Sequence, residues 1–191
     1  MDKNLTFLSP ILAGMLIGIG DIAITKVDNR YVAAFLFSVA LLSIIHFGIP
    51  LYTGRIGNIV HAHTTDDVLM LIMILVCNVT GTLIIALMAI NLGLWDAMVT
   101  IGTTKAEHTF AYLFSAGIAC NILIHVAARA KNTMITILCI MTFILCGFEH
   151  SIADVVFLLL IDPLKWLVVL AGNTVGGVAT EACLYLVEWE D

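Results

Sequence analysis

Three observations predict an all-α membrane fold of six crossings, arranged as two inverted three-helix repeats with the second and fifth helices broken. The first is composition: 61% of the residues are hydrophobic and 12% charged, with a mean hydropathy of +1.09. A soluble domain is nearer half apolar and a quarter charged and must keep a polar surface, so this excess fits a chain solvated by lipid. The second is a series of apolar runs of bilayer-spanning length. The third is that two of those runs carry polar and helix-breaking residues at matching places in the two halves.

In chain order, the first crossing covers residues 8–24 and contains Gly14 and Gly18, whose spacing lets helix backbones approach closely. Asp21 falls near its far end, at the expected interface, and Lys26, Asp28, Asn29 and Arg30 make a turn. The second crossing begins near Tyr31 and is interrupted by Gly48-Ile49-Pro50-Leu51-Tyr52-Thr53-Gly54-Arg55. Proline there removes an amide donor and clashes with the preceding turn. A polar link with His61, His63, Asp66 and Asp67 leads to the unbroken third crossing, residues 68–90, with Asn78 and Gly81. Residues 91–108 read as a longer connection holding Trp95, Asp96, Lys105 and Glu107. The fourth crossing, residues 109–128, carries Gly117, Asn121 and His125.

The fifth crossing is the one around which the rest is arranged. Two almost purely apolar runs, residues 134–146 and 155–161, flank Gly147-Phe148-Glu149-His150-Ser151-Ile152-Ala153-Asp154. Ionisable groups at mid-depth cost several kcal/mol unless they face protein or water, so they mark a substrate or ion path. Asp162-Pro163 ends this crossing, and the sixth, residues 164–187, has Gly172-Asn173-Thr174-Val175-Gly176-Gly177 at its middle and Glu181 beyond. Ala13-Gly14 matches Ala116-Gly117, one break matches the other, and Asn78-Val79-Thr80-Gly81 matches Asn173-Thr174-Val175-Gly176. The repeats cover about 8–91 and 109–187 of a single channel domain spanning 1–191. Three spans per half is an odd number, so the second copy enters the membrane upside down, an architecture that places a site at the midplane where the breaks meet.

Other classes are disfavoured. The five cysteines (Cys77, Cys120, Cys139, Cys146, Cys183) lie in apolar runs without C-x-x-C spacing and read as packing residues. A net charge of -6 without a basic cluster argues against nucleic acid and against a polybasic lipid anchor. His61 and His63 beside two acids lack four-ligand spacing for a metal, and no cofactor is implied. The Met-Asp-Lys-Asn start carries an acid and no cleavage pattern, so no removed signal peptide is expected. Lys3, Arg55, Arg129 and Lys131 on one side balance Lys26, Arg30, Lys105 and Lys165 on the other, leaving only a faint preference for cytoplasmic termini.

The residues resemble the formate/nitrite transporter family over most of the chain. The resemblance rests on Gly147-Phe148-Glu149-His150-Ser151-Ile152-Ala153 in the broken fifth helix, Cys120-Asn121, and the glycine motif at 172–177. Leu51-Tyr52-Thr53-Gly54, and Lys105 followed by His108-Thr109-Phe110, complete it. It implies a homopentamer of aquaporin-like protomers in the cell membrane, each with its own pore. Residue by residue, it implies a central His150 faced by Thr53, with Glu149, Lys105, Asn121 and Asn173 in the polar centre. Phe37, Leu41, Leu51 and Tyr52 would line one apolar constriction and Phe143 the other. The chain departs from the family in its shorter termini, in Tyr52 for phenylalanine, in Arg55, and in Asp154 for an expected asparagine. Arg55 and Asp154 are candidates to pair.

The expected function is passage of a small monovalent weak-acid anion, formate or nitrite, with a proton as co-permeant. An anion entering a dry ring faces an idealised cost on the order of 20 kcal/mol, which positive potential and protonation relieve. His150 either hands over that proton, since imidazole titrates near neutral pH, or stays neutral and only hydrogen-bonds the permeant. Alternatives are the same fold passing hydrosulfide, acetate or lactate, a non-transporting relative, and an intramembrane enzyme. The last would use Glu149 and His150 as acid and base beside Ser151 or Cys146.

Overall fold

The computed structural model describes residues 7–62, 64–130 and 132–188. Among these every regular element is helical: α1 (Leu8–Lys26), α2 (Arg30–His46), α3 (Tyr52–Arg55) continued by a 3-10 helix (Ile56–His61), α4 (Thr65–Asn91) and α5 (Trp95–Ala106). Then follow α6 (Phe110–Ala130), α7 (Thr133–Leu145), a π-helical segment (Val155–Leu159) and α8 (Pro163–Glu188). Helices α1, α4, α6 and α8 are long and apolar enough to cross a membrane, whereas α2 and α7 are shorter apolar helices. At 17 residues α2 is about 25 Å long, less than a hydrocarbon core of about 30 Å.

The short helices start and stop for the same chemical reasons. Asn29 Oδ1 accepts from the amides of Tyr31 and Val32 at the start of α2; Asn132 Oδ1 accepts from those of Met134 and Ile135 at the start of α7. At the far ends, Gly48 and Gly147 adopt φ of 65° and 69°, a left-handed conformation that glycine takes without a Cβ penalty. The next amide then reaches back around each helix end, Ile49 N–H to the Ile44 carbonyl and Phe148 N–H to the Phe143 carbonyl, both at 2.9 Å. Each helix is thus closed off by a hydrogen-bonded cap, and the chain leaves it extended.

Packing follows the same pattern in both halves. Helix α1 lies along α4 and α6 along α8, while α2 and α7 pack on each other. Arg30 Nη2 donates to the Leu145 carbonyl at 2.5 Å, tying the start of α2 to the end of α7. The largest core cluster gathers Phe37, Leu41, Leu51, Tyr52, Phe143 and Ile152. Outward faces carry Leu12, Ile19, Phe35, Val39, Ile72 and Val76, all exposed. Contiguous apolar surface of that kind suits lipid and is incompatible with water.

Two expectations are corrected. Residues 91–108 are no open connection: they hold α5, whose Gly102 sits against the carbonyl of Phe157 and packs that helix onto the π-helical segment. Asp67, read as part of a polar link, closes a capping box with Thr64 at the start of α4, and His61 pairs with Glu181. His63 and Lys131 lie outside the described residues. Cys77, Cys120 and Cys139 are buried, as packing residues should be, but Cys146 and Cys183 are exposed.

The α1–α4 contact yields a prediction. A Cβ on Gly81 would collide with the Ile11 carbonyl, while one on Gly54 would find nothing nearer than Ala128 Cβ at 3.9 Å. Gly81→Ala should therefore lower the unfolding temperature in detergent, at a cost of about 1–3 kcal/mol or more, whereas Gly54→Ala should not.

Candidate functional site

The two breaks are held open by a matched pair of asparagines. Asn78, buried on α4, accepts the Tyr52 amide at 2.7 Å through Oδ1 and donates through Nδ2 to the carbonyls of Pro10 and Pro50 at 2.7 and 3.1 Å. Asn173, buried on α8, accepts the Ser151 amide at 2.7 Å and donates to the carbonyls of Gly117 and Glu149 at 2.8 and 2.9 Å. An amide side chain is suited to this because it offers an acceptor and two donors on one planar group. Backbone groups with no helical partner and no water would each cost several kcal/mol. Asn121 continues the arrangement, donating to the Asn173 carbonyl at 2.7 Å, and Trp166 donates to the Ser151 carbonyl at 2.7 Å.

With the breaks fixed, His150 and Thr53 meet. Their Nε2 and Oγ1 atoms are 2.9 Å apart and both residues are buried. The Ala153 amide donates to His150 Nδ1 at 3.2 Å, which makes Nδ1 an acceptor. A ring in that state carries its proton on Nε2 and donates it to Thr53, leaving the threonine hydroxyl hydrogen for another acceptor. Phe143 stacks on His150 with centroids 5.9 Å apart, and Phe37 meets Phe143 edge-on at 6.0 Å.

Two cavities lie near this pair, one lined by His150 and the other by Gly54, the neighbour of Thr53. One, of about 260 Å³, is lined by Phe37, Phe143, His150, Lys105, Glu149 and Asp154, among others. In it the Lys105 ammonium contacts Glu149 Oε2 and lies 2.8 Å from Asp154 Oδ1. The other, of about 440 Å³, is lined by Leu41, Leu51, Gly54, Arg55, His125 and Arg129. Phe37 and Phe143 line the first and Leu41 and Leu51 the second, and all four are nearly inaccessible to solvent.

The structure thus brings together His150, Thr53, Lys105, Glu149, Phe37 and Phe143 in or beside one cavity. Asn121 and Asn173 are absent from its lining: their bonds go to backbone, apart from Asn121 Oδ1, which has no partner among the described residues. Tyr52 is in the core beside Leu51, but its hydroxyl turns to Thr174 Oγ1 at 2.9 Å. Asp154 takes Lys105 rather than Arg55 as its partner, and Arg55 lines the opposite cavity. Glu149 is engaged by Lys105, and the two His150 nitrogens by Thr53 and Ala153.

Two groups were misread or passed over in the sequence. Asp21 is no interfacial residue: it is fully buried and lines the Lys105 cavity. No local signal in the sequence gives this, because the side of α1 that faces the cavity is set by packing. Glu181, noted only as lying beyond the glycine motif, accepts His61 Nε2 at 2.9 Å and His125 Nε2 at 2.6 Å, joining the 3-10 helix after Thr53 to α6 and α8.

A bundle of lipid-compatible helices around a buried polar centre, with a cavity reaching that centre at His150, is the build of a membrane transport protein. The family model described as formate/nitrite transporter matches residues 1–187, and the chain belongs to that family. Its fold is that of a solved pentameric formate channel with formate bound, at 21% identity and a TM-score of 0.82 over 97% of this chain and 96% of that one. It is also similar to a solved ion channel of the same family, at 23% identity and a TM-score of 0.80 over 95% and 89% of the two chains. No curated protein gives a significant sequence match.

The asparagine staples can be tested directly. Asn173→Ala strands the Ser151 amide and two carbonyls, and Asn173→Asp sets a carboxylate against those same carbonyls. Buried groups left unpaired cost about 1–3 kcal/mol each, so both variants should unfold well below the parent protein in a detergent melting assay.

Proposed function

We propose that the chain is a channel for small monovalent weak-acid anions, formate or nitrite, built from two inverted three-crossing repeats whose broken second and fifth helices meet at the His150–Thr53 contact. The observation that carries this reading is the buried His150–Thr53 contact, with His150 lining the Lys105 cavity and Gly54, the neighbour of Thr53, lining the second. Family membership supports the anion class.

In this reading the permeant enters beside Lys105, is met at the centre by the Thr53 hydroxyl, and leaves past Leu41 and Leu51 toward Arg55 and Arg129. Crossing the Phe37–Phe143 ring as an ion would carry most of the desolvation cost, so the anion takes up a proton before it. His150 stays neutral in this scheme. An imidazolium would need a proton on Nδ1, and that proton would face the Ala153 N–H, donor against donor. Its part is to orient Thr53 so that the hydroxyl hydrogen points into the passage. Lys105, held by Glu149 and Asp154, fixes the entrance. Asn121 and Asn173 serve the pathway by holding its backbone.

The exposed apolar faces and the pentameric neighbour support assembly of five copies in the membrane, each with its own pore. Native mass spectrometry from detergent should then give a pentamer.

Flux in proteoliposomes tests the function. Wild type should pass formate or nitrite faster as pH falls, because the protonated fraction of permeant rises. Lys105→Ala, His150→Ala and Thr53→Val should each lose about tenfold or more, as expected for removing a hydrogen bond to a charged group. Wild-type flux equal to that of empty vesicles for every small anion tried would end the proposal.

A further inference from the structure

The vestibule around Lys105 holds more acid than base. Asp21, Glu149 and Asp154 line it against a single ammonium, within walls that include Phe37, Phe143 and Phe157. Fully ionised, three carboxylates against one lysine would leave two negative charges in excess, a field that repels anions. Each proton retained there removes one of them.

Asp21 is the group that must retain one. It is 0% exposed, and neither of its carboxylate oxygens has a hydrogen-bond partner among the described residues. Glu149 and Asp154 have the Lys105 ammonium; Asp21 has no such contact. A buried carboxylate without a donor is so costly that the group stays neutral instead, and a carboxylic acid kept neutral in an apolar site becomes a hydrogen-bond donor.

Several other donors facing the cavity are already engaged. Lys105 reaches Glu149 and Asp154, and His150 is held by Thr53 and Ala153. Tyr112 donates to the Gly147 carbonyl at 3.3 Å and stacks on His108 with centroids 4.0 Å apart. The O–H of Asp21 is a buried donor facing this space with no partner among the described residues.

We infer that protonated Asp21 is a permeant-binding group of the vestibule, donating its O–H to an oxygen of a small monovalent oxyanion such as a carboxylate. It is thereby a specificity-determining residue that favours oxygen acceptors over halide. The inference rests on the transport reading above for the identity of the ligand, but the protonated carboxyl is observable without transport.

Infrared difference spectroscopy of the full-length protein in lipid tests it, with sodium formate and sodium chloride as probes. The wild type at neutral pH should show the carbonyl band of a protonated carboxylic acid, which moves in D2O, shifts on adding formate and ignores chloride. Asp21→Asn should abolish the band, while Asp154→Asn should keep it. If Asp21→Asn fails to assemble, Asp21→Glu serves, and its band should move. Absence of the band, its survival in Asp21→Asn, an unmoved band in Asp21→Glu, or indifference to formate would each overturn the assignment. A formate-sensitive band in protein that carries no formate flux would remove the transport reading and leave Asp21 standing as an oxyanion-binding carboxyl.

Discussion

The molecule depends on two amide side chains bonded to backbone. A chain that stops being helical inside a bilayer exposes donors and acceptors with nowhere to go, and in hydrocarbon there is no water to take them. Asn78 and Asn173 answer this with the same three bonds each, one accepted and two donated, to a break and to a neighbouring helix. Because those bonds fix Tyr52 and Ser151, they also fix the residues beside them, Thr53 and His150. The central contact is thus a by-product of satisfying the backbone.

The two half-length segments that follow the breaks are anchored by opposite chemistry. After the first, His61 on the 3-10 helix reaches an acid, Glu181, on the continuous helix α8, where His125 and Arg129 also converge. After the second, two acids of the broken segment reach a base, Lys105, on α5. A shared backbone pattern therefore carries unlike electrostatics at its two ends: guanidinium groups of Arg55 and Arg129 line one cavity, and carboxyl groups outnumber the ammonium in the other. Likeness of backbone at the two breaks does not extend to likeness of charge.

Much of this was legible in the sequence because helix breaks inside apolar runs leave strong marks: a glycine, a proline, and an imidazole flanked by hydrocarbon. The His150–Thr53 meeting followed from a family resemblance rather than from spacing, since no local rule joins residues 97 positions apart. Helix α5 was missed because its sequence, with three threonines and a glycine among its twelve residues, carries little apolar period, and tertiary contact with the π-helical segment decides its form. Asp21 was placed at the interface by counting residues to a hydrophobic boundary; which side of α1 faces the cavity is settled only by packing. The same limit explains Asp154, whose partner was sought in Arg55 and is supplied by Lys105.

One contact bears on how the proposed passage can change width. The Tyr52 ring is anchored at its backbone by Asn78 and at its far tip by Thr174, so it is a strut between α3 and α8. A phenylalanine in that place would be free to swing like a door. Phe37 meets Phe143 edge to face and Phe143 stacks on His150, and neither phenylalanine has a polar atom by which to be tied. In the pathway proposed above, any breathing of the bore then belongs to the aromatic pair on the Lys105 side, and the Tyr52 side behaves as a fixed gauge.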